Sequence, residues 1–394
     1  MPGLKLGNSF GIYHEVVDGT DFLTILDFPY HYNIVKKAWE AKITDGSGLS
    51  IYSAESQLRA TSEWADSPVS ETLLFGYSPT MLWLLLPLVP FSHAVAFFLF
   101  NAAGLIAVYW MTYPGRSRWG TGILLFFSAI ANECFGIGQT AVLTGAGLLF
   151  LAERTVSGNP AKGWRDDLIS GAALWALTAK PSVAIAAIAA IAALRRWRIL
   201  AAAGLLTAIT TLAASPWLGA NWASDYIHIL RSYDSVNSSS QYAWSVHPEY
   251  LSNLRGILTV NIGLKDNLAA AISSSVWLIA ITGLIISGAR SVLSVKRVWA
   301  ISIVLYLLFC PHVSRTELLQ TAVVLSLAVS VSGKLSVGEI VLLTTLPLYV
   351  LTLRPLGPPL ESFIPLVVLF GFLVFFPEAP GATNRTAKEA LPDA

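Results

Sequence analysis

The chain is expected to be all-α, a polytopic membrane helix bundle with about eleven spans and external segments at 1–75 and 219–266. Composition, hydrophobic run length and the placement of charge support this. Hydrophobic residues make up 54% of the 394 residues, charged residues only 12%, and mean hydropathy is +0.61. A soluble domain carries about 25% charged residues, so the deficit points to lipid as the solvent. Net charge is +1, which offers no field for nucleic acid. The charge is uneven. Between Phe10 and Phe75 there are ten acids and four bases, whereas a later short loop reads Arg195-Arg196-Trp197-Arg198. Basic short loops stay cytoplasmic, so the acidic segment is expected outside.

A bilayer-spanning helix needs about 20 apolar residues. Such runs fall at 76–91, 92–113, 119–136, 139–153, 168–194, 198–218, 267–288, 297–311, 314–332, 337–353 and 361–377. The organisation read from this is an external N-terminal segment at 1–75 with short helices, a helical bundle over 76–377, and a disordered cytoplasmic tail at 378–394. The second half orients itself. Arg195 to Arg198 and Arg290, Lys296 and Arg297 belong inside, which puts 219–266 and Pro311-His312 outside.

The run 168–194 carries Lys180-Pro181 in its middle. As one kinked helix it leaves 1–75 outside. As two short spans it reverses the parity of everything before it, unless 76–91 is re-entrant, and the basic Arg116-Ser117-Arg118 favours two. No apolar signal segment opens the chain, so an external N-terminus implies a further helix ahead of this start.

Ionisable residues within or beside spans are costly and often functional. Asp27 opens the aromatic stretch Phe28, Tyr30, Tyr32; the plainer reading is a helix cap. Lys180 precedes a proline in an apolar run, or simply snorkels. His312 and Arg315, with Glu317 following, flank an external turn, or anchor it at the interface. Residues 219–266 mix Trp222, Asp225, Tyr242, Trp244, His247 and Arg255 with further rings and charges. Such a mixture suits a carbohydrate surface, or an interfacial belt. Cys134 and Cys310 lie in apolar runs and indicate no disulfide framework. No Cys/His spacing suggests zinc, and neither metal nor cofactor is expected. Gly136-Ile137-Gly138-Gln139 lacks the lysine and the strand–turn–helix context of a phosphate loop. An outward-facing enzyme without a nucleotide pocket needs a donor already activated in the membrane, and a polyprenyl-phosphate sugar meets that need.

Several pieces, in order, resemble glycosyltransferase family 87, multi-spanning enzymes of the GT-C type. They are Asp27-Phe28 with Tyr32 and then Gly48 to Tyr52; Gly76-Tyr77-Ser78-Pro79 followed by Leu84 to Pro90; Gly138-Gln139 opening the run to Leu151; Gly171 through Lys180-Pro181 to Arg195-Arg196-Trp197; and Pro311-His312 through Glu317-Leu318. The resemblance covers roughly 25–330 and requires 168–194 as one helix, the reading kept here.

The resemblance implies inverting transfer of a hexose, mannose foremost, from a polyprenyl-phosphate donor to a glycan or lipid acceptor at the outer face of the plasma membrane, that of a bacterial inner membrane. It assigns Asp27 as general base and His312, with Arg315 or Lys180, to the departing phosphate. Tyr30, Tyr77 and Gln139 would contribute to substrate binding. The implied partners are donor, acceptor and membrane lipid, with no nucleic acid. A lipid or glycan transporter is the alternative, although the internal repeat common in transporters is not evident.

Overall fold

The computed structural model describes residues 12–17, 20–25, 27–40, 50–65, 75–112, 129–156, 163–232, 251–290, 293–313, 315–324, 327 and 359–375. In chain order these form a hairpin, β1 (Ile12–Val17) and β2 (Thr20–Ile25), then α1 (Asp27–Trp39), α2 (Ala54–Ala65), α3 (Thr80–Leu85), α4 (His93–Thr112), α5 (Ala129–Ile137) and α6 (Ala141–Val156). There follow α7 (Gly163–Leu177), α8 (Pro181–Ala193), α9 (Trp197–Leu218), α10 (Trp222–Ser232), α11 (Asp266–Ala289), α12 (Val295–Phe309) and α13 (Pro359–Phe375). The antiparallel hairpin, with Val17 opposite Thr20, departs from an all-α expectation. All other described elements are helical.

Among the described residues, three helices are long and apolar enough to cross a bilayer: His93–Met111, Trp197–Leu218 and Asp266–Ala289. Shorter apolar helices run over Pro181–Ala193 and Phe363–Phe375. The long ones leave bulky apolar side chains uncovered, such as Phe98 and Ile106 on α4, Leu212 on α9 and Ile279 on α11. A helix apolar all round belongs in a core or in lipid, and exposed faces of this kind mark a membrane protein. The expected spans 119–136, 314–332 and 361–377 lie partly outside the described residues, and 337–353 and the tail 378–394 wholly so.

Two compact units emerge, each described by itself. Unit 1 comprises Met1–Leu105, Phe135–Gln139 and Thr207–His247; unit 2 comprises Ile106–Cys134, Thr140–Leu206 and Pro248–Ala394.

In unit 1, α1 is the hub. Asn33 on its buried face donates Nδ2 to the Ala60 carbonyl of α2 at 3.0 Å. Trp39 donates its indole N–H to Leu82 O of α3 at 3.0 Å, and its ring packs on Trp83 and Trp217. The expected span 76–91 is not a crossing helix. It holds the six-residue α3 and a three-residue 3-10 turn, Leu86–Leu88, in which Pro87 stands near the turn's start. Six helical residues reach about 9 Å, far short of a hydrocarbon core of about 30 Å. In α9, Pro216 cannot donate to the carbonyl of Leu212, which Ser215 Oγ takes at 2.8 Å. Residues 219–266 contain α10, a helical turn at Leu254–Gly256 and a π-helix at Ile257–Asn261.

In unit 2, α8 is central, packing on α7, α11 and α12. Its alanines make that approach close: a Cβ on Gly288 of α11 would lie 2.7 Å from Ala193 Cβ. The one-helix reading of 168–194 is wrong here. α7 ends at Leu177 and α8 starts at Pro181, with Lys180 between them extended at φ −114°, ψ 91°. A proline suits the first turn of a helix and pushes the preceding residue out of the helical region.

The break is a reversal, not a kink. A Cβ on Gly171 of α7 would lie 2.5 Å from Ala202 Cβ of α9. One continuous helix would hold Gly171 about 33 Å from Ala193, too far for the start of α9 to fold back to it. α7 and α8 are therefore the arms of a hairpin. At its far end the chain turns again through Arg195, at φ 55°, whose neighbour Arg196 donates its N–H to Ile191 O at 3.1 Å, a left-handed helix cap.

Unit 2 thus has two chemically distinct ends. At one, Arg154 pairs with Asp166 at 2.5 Å, Trp299 donates to Thr155 Oγ1 at 2.7 Å, and the turn Arg195-Arg196 follows α8. At the other lie the Lys180 turn, the end of α12 and the 3-10 segment Arg315–Gln320.

Candidate functional site

Among the described residues, each unit has a polar centre that gathers residues expected at the site. In unit 1 it is built on α1, whose first residue is Asp27; the side chains of Asp27 and Arg315 lie outside the described residues. Tyr30 has no exposed surface, and its hydroxyl donates to Gln57 Oε1 at 3.0 Å. The same oxygen accepts Phe75 N–H at 3.0 Å, and Gln57 Nε2 donates to Ile51 O at 2.9 Å. One amide therefore ties α1, α2 and two connecting segments together. Half-buried His31 is boxed by rings: Tyr30 at 5.1 Å, Tyr77 at 4.8 Å and Phe75 at 5.7 Å between centroids. Tyr77 is half-buried, and its carbonyl accepts the Tyr52 hydroxyl at 3.0 Å. Tyr30 and Tyr77, both expected at the site, thus meet across His31, a residue that nothing in the sequence singles out.

The next turn of α1 secures the chain around α3. The Tyr32 hydroxyl faces the carbonyls of Leu88 (2.7 Å), Val89 (3.3 Å) and Phe91 (2.8 Å). Burial, helped by the charge of Glu40, pushes its pKa well up, so it remains a donor. Phe28 stacks on Tyr32 and packs against Phe97 and Phe100. Behind it is Gly138 at φ +75°, where a Cβ would stand 2.3 Å from Phe28 Cβ. Glycine is needed there both for backbone and for space. Gln139 follows it, half-buried. At the start of α10, Asp225 accepts Ser50 Oγ–H at 2.5 Å, and Tyr226 packs on Tyr52, burial raising the Tyr226 hydroxyl to about 12.

In unit 2 the centre is charged. Lys180 Nζ pairs with Glu317 Oε1, and Tyr306 donates its hydroxyl to Glu317 Oε2 at 3.0 Å. Glu317 is 1% exposed and Lys180 18%. The extended backbone ahead of Pro181 holds the lysine, and the 3-10 segment holds the glutamate. That segment is anchored by Gln320, whose Nε2 donates to Ala141 O at 2.9 Å and Thr144 Oγ1 at 3.1 Å. Removing one partner of such a pair leaves a buried charge and costs about 3–5 kcal/mol. His312 is exposed in the turn after α12. Two separate sequence signals, Lys180 and Glu317, are thus one object.

Other expected features fall differently. Arg255, read as part of a carbohydrate surface, is fully buried and paired to Asp266. Tyr242, Trp244 and His247 lie outside the described residues, as does Gly48.

The model of glycosyltransferase family 87 matches residues 75–335, about two thirds of the chain. The chain belongs to glycosyltransferase family 87. No curated protein and no solved structure matches it. It is a membrane glycosyltransferase, acting between a donor and an acceptor. The family match includes Tyr77, Gln139, Lys180, His312, Arg315 and Glu317. It begins after Asp27 and Tyr30, later than the start near residue 25 that the sequence resemblance suggests.

Proposed function

We propose that this family 87 member transfers a hexose, mannose foremost, from a polyprenyl phosphate to a glycan or lipid acceptor at the outer face of the plasma membrane, with inversion. The acceptor oxygen attacks the anomeric carbon, and its proton passes to Asp27. The bond from that carbon to the phosphate oxygen breaks, and the lipid phosphate leaves with the electron pair. His312, aided by Arg315, donates to the departing oxygens, where charge grows in the transition state. Lys180, fixed against Glu317, adds positive potential. Tyr77, Gln139 and the His31 box supported by Tyr30 shape the sugar site.

The observation that carries the reading is the two-ended character of unit 2. One end bears Arg154, Arg195, Arg196, Arg198 and Arg290 in or beside its turns; the other bears the Lys180–Glu317–Tyr306 network and the exposed His312. By the positive-inside rule the first end is cytoplasmic, so the second faces out. The hairpin at Lys180 adds one crossing to the sequence count and the shortness of α3 removes one. The proposal keeps residues 1–75 outside as well.

The test is transfer from radiolabelled polyprenyl-phosphate mannose in membranes. Asp27→Asn should lower kcat about 1,000-fold, within the range for a lost general base. Full transfer by a normally folded Asp27→Asn protein removes Asp27 from that role. A donor of another lipid-linked sugar that outcompetes mannose corrects the substrate without touching the mechanism.

A further inference from the structure

α12 ends at Phe309, and a helix end leaves carbonyls without partners. Three successive carbonyls at this exit are each taken by a side chain from elsewhere. Phe309 O accepts Ser273 Oγ–H at 2.7 Å, Cys310 O accepts Asn253 Nδ2–H at 2.6 Å, and Pro311 O accepts Arg255 Nη1–H at 3.4 Å. The donors are themselves held. Asn253 Oδ1 accepts Gly256 N–H at 3.0 Å. Arg255 grips Asp266 with two nitrogens, Nε to Oδ1 at 2.8 Å and Nη2 to Oδ2. Asn253, Arg255 and Ser273 have no exposed surface.

The next residue is His312. Cys310, Pro311 and Val313 around it are buried, while His312 alone points out. Proline further restricts the backbone just ahead of it. Satisfying a helix end requires no such convergence, since one cap or a tightened last turn commonly serves. Donors from α11 and from the segment before the π-helix over-determine this turn. The π-helix itself, Ile257–Asn261, is of a rare kind frequently found at functional sites.

We infer that Asn253, Arg255 and Ser273 are positioning residues that pin the Pro311-His312 turn and so aim the His312 imidazole. They form a clamp acting through backbone carbonyls. The inference rests on the role given to His312 above, and two readouts separate the failure of one from the failure of the other.

The first readout is transfer kinetics. Asn253→Ala and Ser273→Ala are the variants, because removing Arg255 would strand Asp266. Each should lower kcat, by up to about 100-fold for a displaced catalytic group, with the donor KM nearly unchanged. In a His312→Ala background the same substitutions should add no further loss, because residues acting through one group are non-additive. The second readout needs no activity. A nitroxide is attached to full-length protein carrying His312→Cys, with the buried Cys134 and Cys310 left in place. Its spectrum should be that of a restrained label, and Asn253→Ala should loosen it. Unchanged label motion in both clamp variants, or losses that multiply with that of His312→Ala, overturns the clamp. A loosened label together with full transfer by His312→Ala supports the clamp and removes His312 from the mechanism.

Discussion

In unit 1 the buried side chains of α1 make their hydrogen bonds with neutral groups, Tyr30 on Gln57 and Tyr32 on a run of carbonyls. Unit 2 gathers a lysine, a glutamate and a phenol inside an apolar bundle. The difference is one of tolerance. A neutral hydrogen bond contributes about 1 kcal/mol net, and Gln57 keeps its other partners when one is lost. A buried charge that loses its partner has nowhere to discharge the cost. Under the proposed function, the aromatic centre is scaffold that shapes a site, and the charged centre is where fold and chemistry would depend on the same atoms.

The comparison breaks most sharply at Glu317. Glu317→Leu alone should destabilise the protein by about 3–5 kcal/mol, seen as a lower Tm in detergent. Adding Lys180→Met should restore most of that stability, because an apolar pair of similar volume often replaces a buried ion pair without loss. Transfer should remain low in the double variant if Lys180 serves the reaction. Recovery of both stability and transfer would make the pair purely structural.

A smaller effect is expected at Gly138 in unit 1. Gly138→Ala meets a positive φ and Phe28 Cβ together, and strain plus overpacking should cost about 2–3 kcal/mol. A Tm unchanged by that substitution would mean α1 sits less tightly than described. Smallest is Tyr30→Phe, which deletes one hydroxyl and should cost about 1 kcal/mol with transfer nearly intact. Loss of transfer at unchanged Tm would move Tyr30 from scaffold to substrate contact and erase the contrast between the two centres.

Much of the helix framework is legible in the chain because it is local. The runs 92–113, 198–218 and 267–288 differ from α4, α9 and α11 by one residue at most at either end, since length and unbroken apolarity are properties of neighbouring residues. The run 76–91 has apolarity enough but not regularity: Pro87 and Pro90 limit helix to a short piece, and hydropathy alone does not register that. His31 has no charge pattern or spacing to mark it, and it becomes conspicuous only when Tyr77 is folded against it. Arg255 looks like a surface residue until Asp266 and the Pro311 carbonyl are seen around it.

By itself the sequence determined a membrane protein of glycosyltransferase family 87, with its long apolar helices and a proline that breaks the chain after Lys180. It could not decide what that break does. A proline stops a helix by local sterics, but bending and reversing are both open to the chain that follows. The choice depends on whether α7 can lie against α9, which the absent side chain of Gly171 permits at Ala202. The partner of Lys180 was decided the same way. Glu317 stands 137 residues further along the chain, and only the packing of α8 against α12 brings the two charges together.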